Sequence, residues 1–183
     1  MPKRIANVND KIIDSAIKLF SQKGYNNVKM NDIAFHSHIA VGTLYNYYKD
    51  KRSLFWVVIE KHFNNIYSKL TNIFKNKERI SITEFITIIY DEITNMGGFS
   101  EELLVFSKEE EHNIKNLKSE LLTYIDKFLS KNRWNGQVEF VEKYHDRIIF
   151  IILLTIINLS KEFPDEREKN IEFISDLIGK FIS

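Results

Sequence analysis

Cysteine is absent from these 183 residues, which excludes disulfide staples and thiolate zinc sites and suits a reducing compartment. Signatures of catalysis are missing as well. No glycine-rich phosphate loop follows a strand pattern, no nucleophile elbow occurs, and the carboxylates fall in ordinary helical charge patterns. The chain therefore does not read as an enzyme; no catalytic residue and no cofactor are expected. Metal-ligand spacing is also lacking. Glu109, Glu110, Glu111 and His112 form a charged run and His36 and His38 an i, i+2 pair, but neither offers two groups one helical turn apart with a third partner. A solvated face and an exposed turn account for them, and no metal is expected. The apolar stretch Ile148 to Leu159 is too short to span a bilayer, and the Met-Pro-Lys-Arg start, followed by polar residues, is not a signal-peptide pattern. These features read as a soluble, cytoplasmic protein without membrane contact.

An excess of either charge is missing too, with a net of +1, but the distribution is uneven. Residues 1–60 hold nine Lys and Arg against five Asp and Glu, while the remainder holds 17 against 20. The basic third coincides with the most informative stretch, residues 24–56, GYNNVKMNDIAFHSHIAVGTLYNYYKDKRSLFW. The spacing of Met30, Ile33, Ala34 and, at a turn, Ile39 predicts a short amphipathic helix. A helix so short needs a partner. The segment Asn9 to Lys23 supplies one through Ile12, Ile13, Ala16, Ile17, Leu19 and Phe20, and Gly24 closes it.

A second short helix is predicted from about Ala40 to Tyr47. Leu44 and Tyr48 can face the core with Ile39. Val41, Gly42, Thr43, Tyr45, Asn46 and Tyr47 point elsewhere and form a surface of small, hydroxyl and amide groups with no acid. That surface suits a polyanion: Gly42 permits close approach to phosphate, Thr43 and the tyrosines can donate to phosphate oxygens, Asn46 can pair with a base edge, and Val41 fits a thymine methyl. Lys49-Asp50-Lys51 adds cations where Asp50 reads as the N-cap of a long helix. Two short helices, a tight turn and a third helix start are a way to place a helix in the DNA major groove.

Leu19-Phe20, Gly24-Tyr25, Ile33-Ala34, Gly42-Thr43-Leu44-Tyr45-Asn46-Tyr47-Tyr48 and Lys51 stand at the spacings of the TetR family of bacterial transcription regulators, which this chain resembles over about a quarter of its length. The resemblance implies an all-α fold: an N-terminal three-helix helix-turn-helix DNA-binding domain (1–52) and a larger C-terminal helical ligand-binding and dimerisation domain (53–183). It implies DNA contacts from Lys29, Ala40, Val41, Gly42, Thr43, Tyr45, Asn46, Tyr47 and Lys51. There are departures. The family usually has Ala-Gly-Val-Ser across the turn, and here Ser37-His38-Ile39-Ala40 stands there. His38 thus occupies a position favouring positive φ, and Ala40 lacks an N-cap hydroxyl worth about 1 kcal/mol.

Beyond Asp50 the pattern stays helical. Segments are predicted at Ser53 to Phe74, Ile82 to Met96 ended by Gly97-Gly98, Ser100 to Phe106, Ile114 to Leu129, about Val138 to Lys161 and Asp165 to Phe181, with Pro164 breaking the last two apart. The helix after Val138 is apolar nearly all round, which implies burial on several sides. In the resembled family the last two helices pair with their copies in a four-helix bundle. A homodimer is therefore expected, with Ile148, Ile152, Ile156, Ile171, Ile174 and Ile178 as interface candidates and a palindromic operator on double-stranded DNA. A small-molecule effector is implied as well. Phe63, Phe85, Ile89, Tyr90, Phe99, Phe106 and Tyr124 are candidates for its pocket, apolar or aromatic with hydroxyl handles. The expected function is a dimeric, ligand-responsive repressor released from its operator by a small hydrophobic molecule. The alternative is a DNA-binding interaction protein whose C-terminal helices hold a protein partner.

Overall fold

The computed structural model describes residues 8–104, 111–131 and 138–182, with side chains described except at 111–118, 129–130, 138–142, 145–146 and 181–182. Among these residues every regular element is a helix. They are α1 (Val8–Lys23), α2 (Met30–His36), α3 (Val41–Tyr47), α4 (Lys51–Asn76), α5 (Ile82–Asn95), a 3₁₀ segment (Gly97–Leu104), α6 (Glu111–Lys131), α7 (Val138–Glu162) and α8 (Arg167–Ile182). No described helix is long and apolar enough to cross a membrane.

The first three helices form because each has one apolar stripe and a defined stop. Ile12, Ile13, Ala16, Leu19 and Phe20 bury the inner face of α1, and Gly24, at φ 76°, ends it with its N–H on the Phe20 carbonyl at 2.9 Å. The α2 helix opens where the Lys29 N–H donates to the Asp32 carboxylate at 2.9 Å. It closes in a two-bond reversal: the His38 N–H reaches the Phe35 carbonyl and the Ile39 N–H the Ala34 carbonyl, both at 3.1 Å. This bond pair requires a left-handed residue at its centre, and His38 takes that conformation with φ 56°. The α3 helix begins at Ala40, which gives no side-chain cap.

Asp50 starts α4 as the sequence predicts, its carboxylate accepting from the Ser53 N–H at 2.7 Å. The helix has 26 residues, or about 39 Å of rise, and its buried face runs unbroken from Leu54 to Phe74. The polar link before α5 contains a fully buried Ile80. Its position before the Ser81 N-cap, five residues from buried Phe85, is that of a hydrophobic staple. Ser81 and Glu84 cap α5 reciprocally, at 3.1 and 2.9 Å.

Gly97-Gly98 does end α5, but the pair has a second role that periodicity does not reveal. A Cβ on Gly97 would lie 2.8 Å from the Ser21 carbonyl oxygen, and one on Gly98 3.0 Å from the Gly24 nitrogen. Backbone meets backbone where the 3₁₀ segment crosses the end of α1, so any side chain there would force the two apart. Phe99, fully buried, follows immediately and enters an aromatic cluster with Phe20 at 6.0 Å, Phe55 at 5.9 Å and His62 at 5.6 Å. The C-terminal half is thereby locked onto the first helix of the N-terminal half.

At the other end, α8 is pinned to α5. Arg167 grips Asp91 through two parallel bonds of 2.9 and 2.8 Å, the strong bidentate geometry. Asn170, buried, extends its amide to the Tyr90 hydroxyl at 3.0 Å and to the Phe163 carbonyl at 3.0 Å, which satisfies a group that would otherwise be costly to bury.

Candidate nucleic-acid interface

The outward face of α3 matches the sequence expectation. Leu44 is fully buried and Tyr48 nearly so, and the Tyr48 hydroxyl donates to Asn9 at 2.8 Å, tying the end of α3 to the start of α1. These two anchors turn the rest of the helix to solvent. Ala40, Val41, Gly42, Tyr45, Asn46 and Tyr47 are exposed and Thr43 is half-buried. Tyr45 and Tyr47 each keep nearly half of their surface accessible, a large aromatic area to leave in water without a partner. Space around Gly42 is open, with no atom within 4 Å of where a Cβ would stand. The face bears no acid, and Asp32 and Asp50, the carboxylates flanking it in sequence, are engaged as helix caps.

The cations flank this face unequally. Lys29 is exposed at the start of α2. Lys51 is half-buried: its ammonium donates to the Tyr25 carbonyl at 2.8 Å and lies 4.1 Å from the centre of the Tyr25 ring. Partial burial pulls its pKa below the usual lysine value, opposed by the charge of Glu102. Two of its three N–H bonds remain to donate, so Lys51 both braces the turn after α1 and offers charge at the N-terminus of α4. Arg52 is directed inward, to Glu102 at 3.4 Å and over the Tyr25, Phe55 and Trp56 rings. Sequence reasoning did not single out Phe35, which is 79% exposed on α2 beside His36; its only signal was a large aromatic off the apolar stripe.

Of the residues proposed for an effector pocket, Phe63, Phe85, Ile89, Tyr90 and Phe99 are all buried in one continuous core. Phe99 joins Phe20 and Phe55, Phe63 lies against Tyr67 at 6.1 Å, Phe85 stacks on Phe128 at 4.7 Å, and Tyr90 meets Asn170. Tyr124 is half-buried on α6 and stacks on Tyr67; Phe106 lies outside the described residues. A residue the sequence did not flag stands among them. His62 on α4 is buried, and neither ring nitrogen has a hydrogen-bond partner among the described residues. Burial holds its pKa below the ordinary histidine value, while Glu92 pulls upward and Lys61 downward.

The proposed dimer residues face mostly inward. Ile156, Ile171 and Ile174 are buried within the protomer, and Ile148, Ile152 and Ile178 are half-buried against the same core. Among the described residues, the exposed large apolar side chains of this region are Phe150 and Ile151 on α7, Phe163 after it and Phe173 on α8. Among the described residues no group of three His, Asp or Glu is placed to hold a metal ion. Glu109 and Glu110 lie outside the described residues, as do the side chains of Glu111 and His112.

Comparison with known proteins gives this geometry its context. Residues 12–56 match the family of bacterial regulatory proteins, tetR family. The uncharacterized HTH-type transcriptional regulator YuxN of Bacillus subtilis is 30% identical over 128 residues, 65% of this chain and 44% of YuxN. The biofilm operon icaADBC HTH-type negative transcriptional regulator IcaR of Staphylococcus epidermidis is 40% identical over 57 residues, 31% of each chain. These matches span less than half the length of either relative. The fold is similar to that of FadR from Bacillus subtilis, solved in complex with stearoyl-CoA, with a TM-score of 0.65 at 17% identity over 90% of this chain and 96% of that one. Residues 12–56, which carry the helix-turn-helix, thus bear the DNA-binding domain of the TetR family of bacterial transcriptional regulators, and the likeness to FadR is one of fold.

Proposed function

We propose that the protein is a cytoplasmic, dimeric repressor that leaves a two-fold symmetric operator when a small hydrophobic molecule binds its C-terminal domain. The observation that carries this reading is the outward face of α3. Val41, Gly42, Tyr45, Asn46 and Tyr47 stand free of acids above the buried anchors Leu44 and Tyr48. In this reading residues 1–52 form the reading head and 53–183 the sensing and dimerising body, with α4 crossing from one to the other. Val41 and Asn46 read base edges; Lys29, Ala40, Gly42, Thr43, Tyr45, Tyr47 and Lys51 meet the DNA backbone. Ala40 and Gly42 contribute by being small and by their backbone N–H groups near the start of α3.

A second copy covers Phe150, Ile151, Phe163 and Phe173, large apolar side chains that are each about half exposed among the described residues. The two heads then sit about one or more helical turns of DNA apart, roughly 34–36 Å for a single turn. IcaR, named as a negative regulator, supports repression. The stearoyl-CoA bound by FadR supports a ligand with a substantial apolar part, and His62 supplies an unspent polar group to orient it.

Capture of genomic fragments by the purified protein tests the assignment of roles. Asn46→Ala or Val41→Ala changes which fragments are retained. Lys51→Ala weakens retention of all of them and reduces the log–log salt slope by about one. Retention that is the same for all variants and wild type refutes the placement of α3 on DNA.

A further inference from the structure

A groove of about 580 Å³ lies between the C-terminal half of α4 and α6, lined by Thr71, Phe74, Lys75, Tyr124, Lys127 and Lys131 together with Thr123 and Asp126. Small-molecule sites fall in this range of volume. It is far from the reading head: about 20–24 residues of α4 separate it from Lys51, or roughly 30–35 Å of helical rise. It shares only Tyr124 with the aromatic residues considered above.

The groove combines two chemistries. Two rings line it, Tyr124 and Phe74, 6.1 Å apart at 28°, and buried Tyr67, outside the lining, supports Tyr124 nearly in parallel at 5.5 Å and 9°. Thr71 holds the Tyr124 hydroxyl at 2.7 Å, so the ring is fixed rather than free to turn away. The rim is cationic, three lysines against the one carboxylate of Asp126. Lys131 is already engaged, donating to the Phe74 and Lys77 carbonyls at the end of α4. Lys127 has its ammonium 4.9 Å from the centre of the Tyr124 ring, and Lys75 is exposed at the opposite wall.

We propose that this groove is a binding site for a planar aromatic anion, the ring lying on Tyr124 and Phe74 and the negative group taken by Lys75 and Lys127. Each half of the ligand answers one half of the site. A flat ring gains offset stacking, worth about 0.5–1.5 kcal/mol beyond its buried area. An anion gains charge-assisted bonds beside an apolar wall, where water competes less well. A bare ring leaves the lysines unpaired, and a bare anion leaves the two rings uncovered, so neither alone matches the site. The site stands apart from the outward face of α3.

Isothermal titration of the full chain with 2-naphthoate, 2-naphthol and inorganic phosphate tests this. The expected result is that 2-naphthoate binds at least about tenfold more tightly than either the uncharged ring or the ringless anion, and that added salt weakens it. Replacing both exposed lysines, Lys75→Gln with Lys127→Gln, leaves the fold intact and lowers 2-naphthoate affinity by about tenfold or more, in line with two lost solvent-screened charge contacts. Tyr124→Leu, which keeps the groove apolar but removes the ring, also weakens it. Equal binding of 2-naphthol, equal binding of phosphate, no binding of 2-naphthoate, or unchanged affinity in the double lysine variant each overturns the proposal. No DNA enters the experiment, so its outcome is independent of the repressor reading.

Discussion

Gly42→Ala separates what the interface needs from what the fold needs, because the two respond with opposite signs. Gly42 is the second residue of α3, in helical conformation, with no atom within 4 Å of where the added methyl would stand. Alanine there meets no clash and restricts the unfolded chain, so stability rises by about 0.5–1 kcal/mol. In a chain of this length that is a rise in Tm of about 1–4 °C. On DNA the same methyl stands where the backbone must approach phosphate. Loss of one charge-assisted bond of about 1.5–3 kcal/mol weakens binding roughly ten- to a hundredfold. Thermal denaturation reads the first effect; fluorescence-anisotropy titration of a bound duplex, at one fixed salt concentration, reads the second. A more stable protein with unchanged DNA affinity refutes the approach of α3 through Gly42. A less stable one refutes the description of the helix itself.

Three further outcomes follow from other parts of the molecule. His38→Gly relieves the left-handed strain at φ 56° and raises stability by about 1 kcal/mol in urea denaturation; a loss of stability would mean that the imidazole makes a compensating contact. Phe173→Glu, at an exposed apolar position on α8, converts a dimer to monomer in sedimentation velocity, whereas an unchanged sedimentation coefficient removes this position from the interface. His62 is held neutral by burial, its pKa below the ordinary value near 6.5, so on acidification the unfolded chain takes a proton before the folded one. Its contribution to stability is therefore full above about pH 6.5 and is lost as pH falls from there through the folded pKa, with a slope of at most about 1.4 kcal/mol per pH unit. His62→Leu removes that part of the acid sensitivity, and identical pH dependence in variant and wild type contradicts the assignment.

Local rules carried the reading head. Three features there are decided within a few residues: the alternation that buries Leu44 and Tyr48, the Asp50 cap, and the left-handed turn at His38. Each needs only neighbouring chain to be recognised. What depends on distant chain was not visible. Gly97-Gly98 reads as a helix stop, yet its closeness to Ser21 and Gly24 arises from a crossing of segments some 75 positions apart. Ile156, Ile171 and Ile174 were expected at a subunit contact because periodicity marks an apolar face without saying which neighbour covers it; within the protomer α7 and α8 cover one another there, leaving Phe150, Ile151 and Phe173 outside. Periodicity likewise marks Phe63, Phe85, Tyr90 and Phe99 as buried without saying which neighbours each meets. His62 went unnoticed because a histidine at helical spacing carries no mark of its unpartnered nitrogens.

Selection of bound duplexes from a random library with the purified protein decides whether α3 reads DNA as one of a pair. The expected result is one enriched motif with two-fold symmetry, two inverted half-sites separated by about one helical turn or somewhat more, and loss of that enrichment in the Phe173→Glu variant. Enrichment of a single unrepeated half-site, or of no sequence at all, contradicts a paired reading head built on α3.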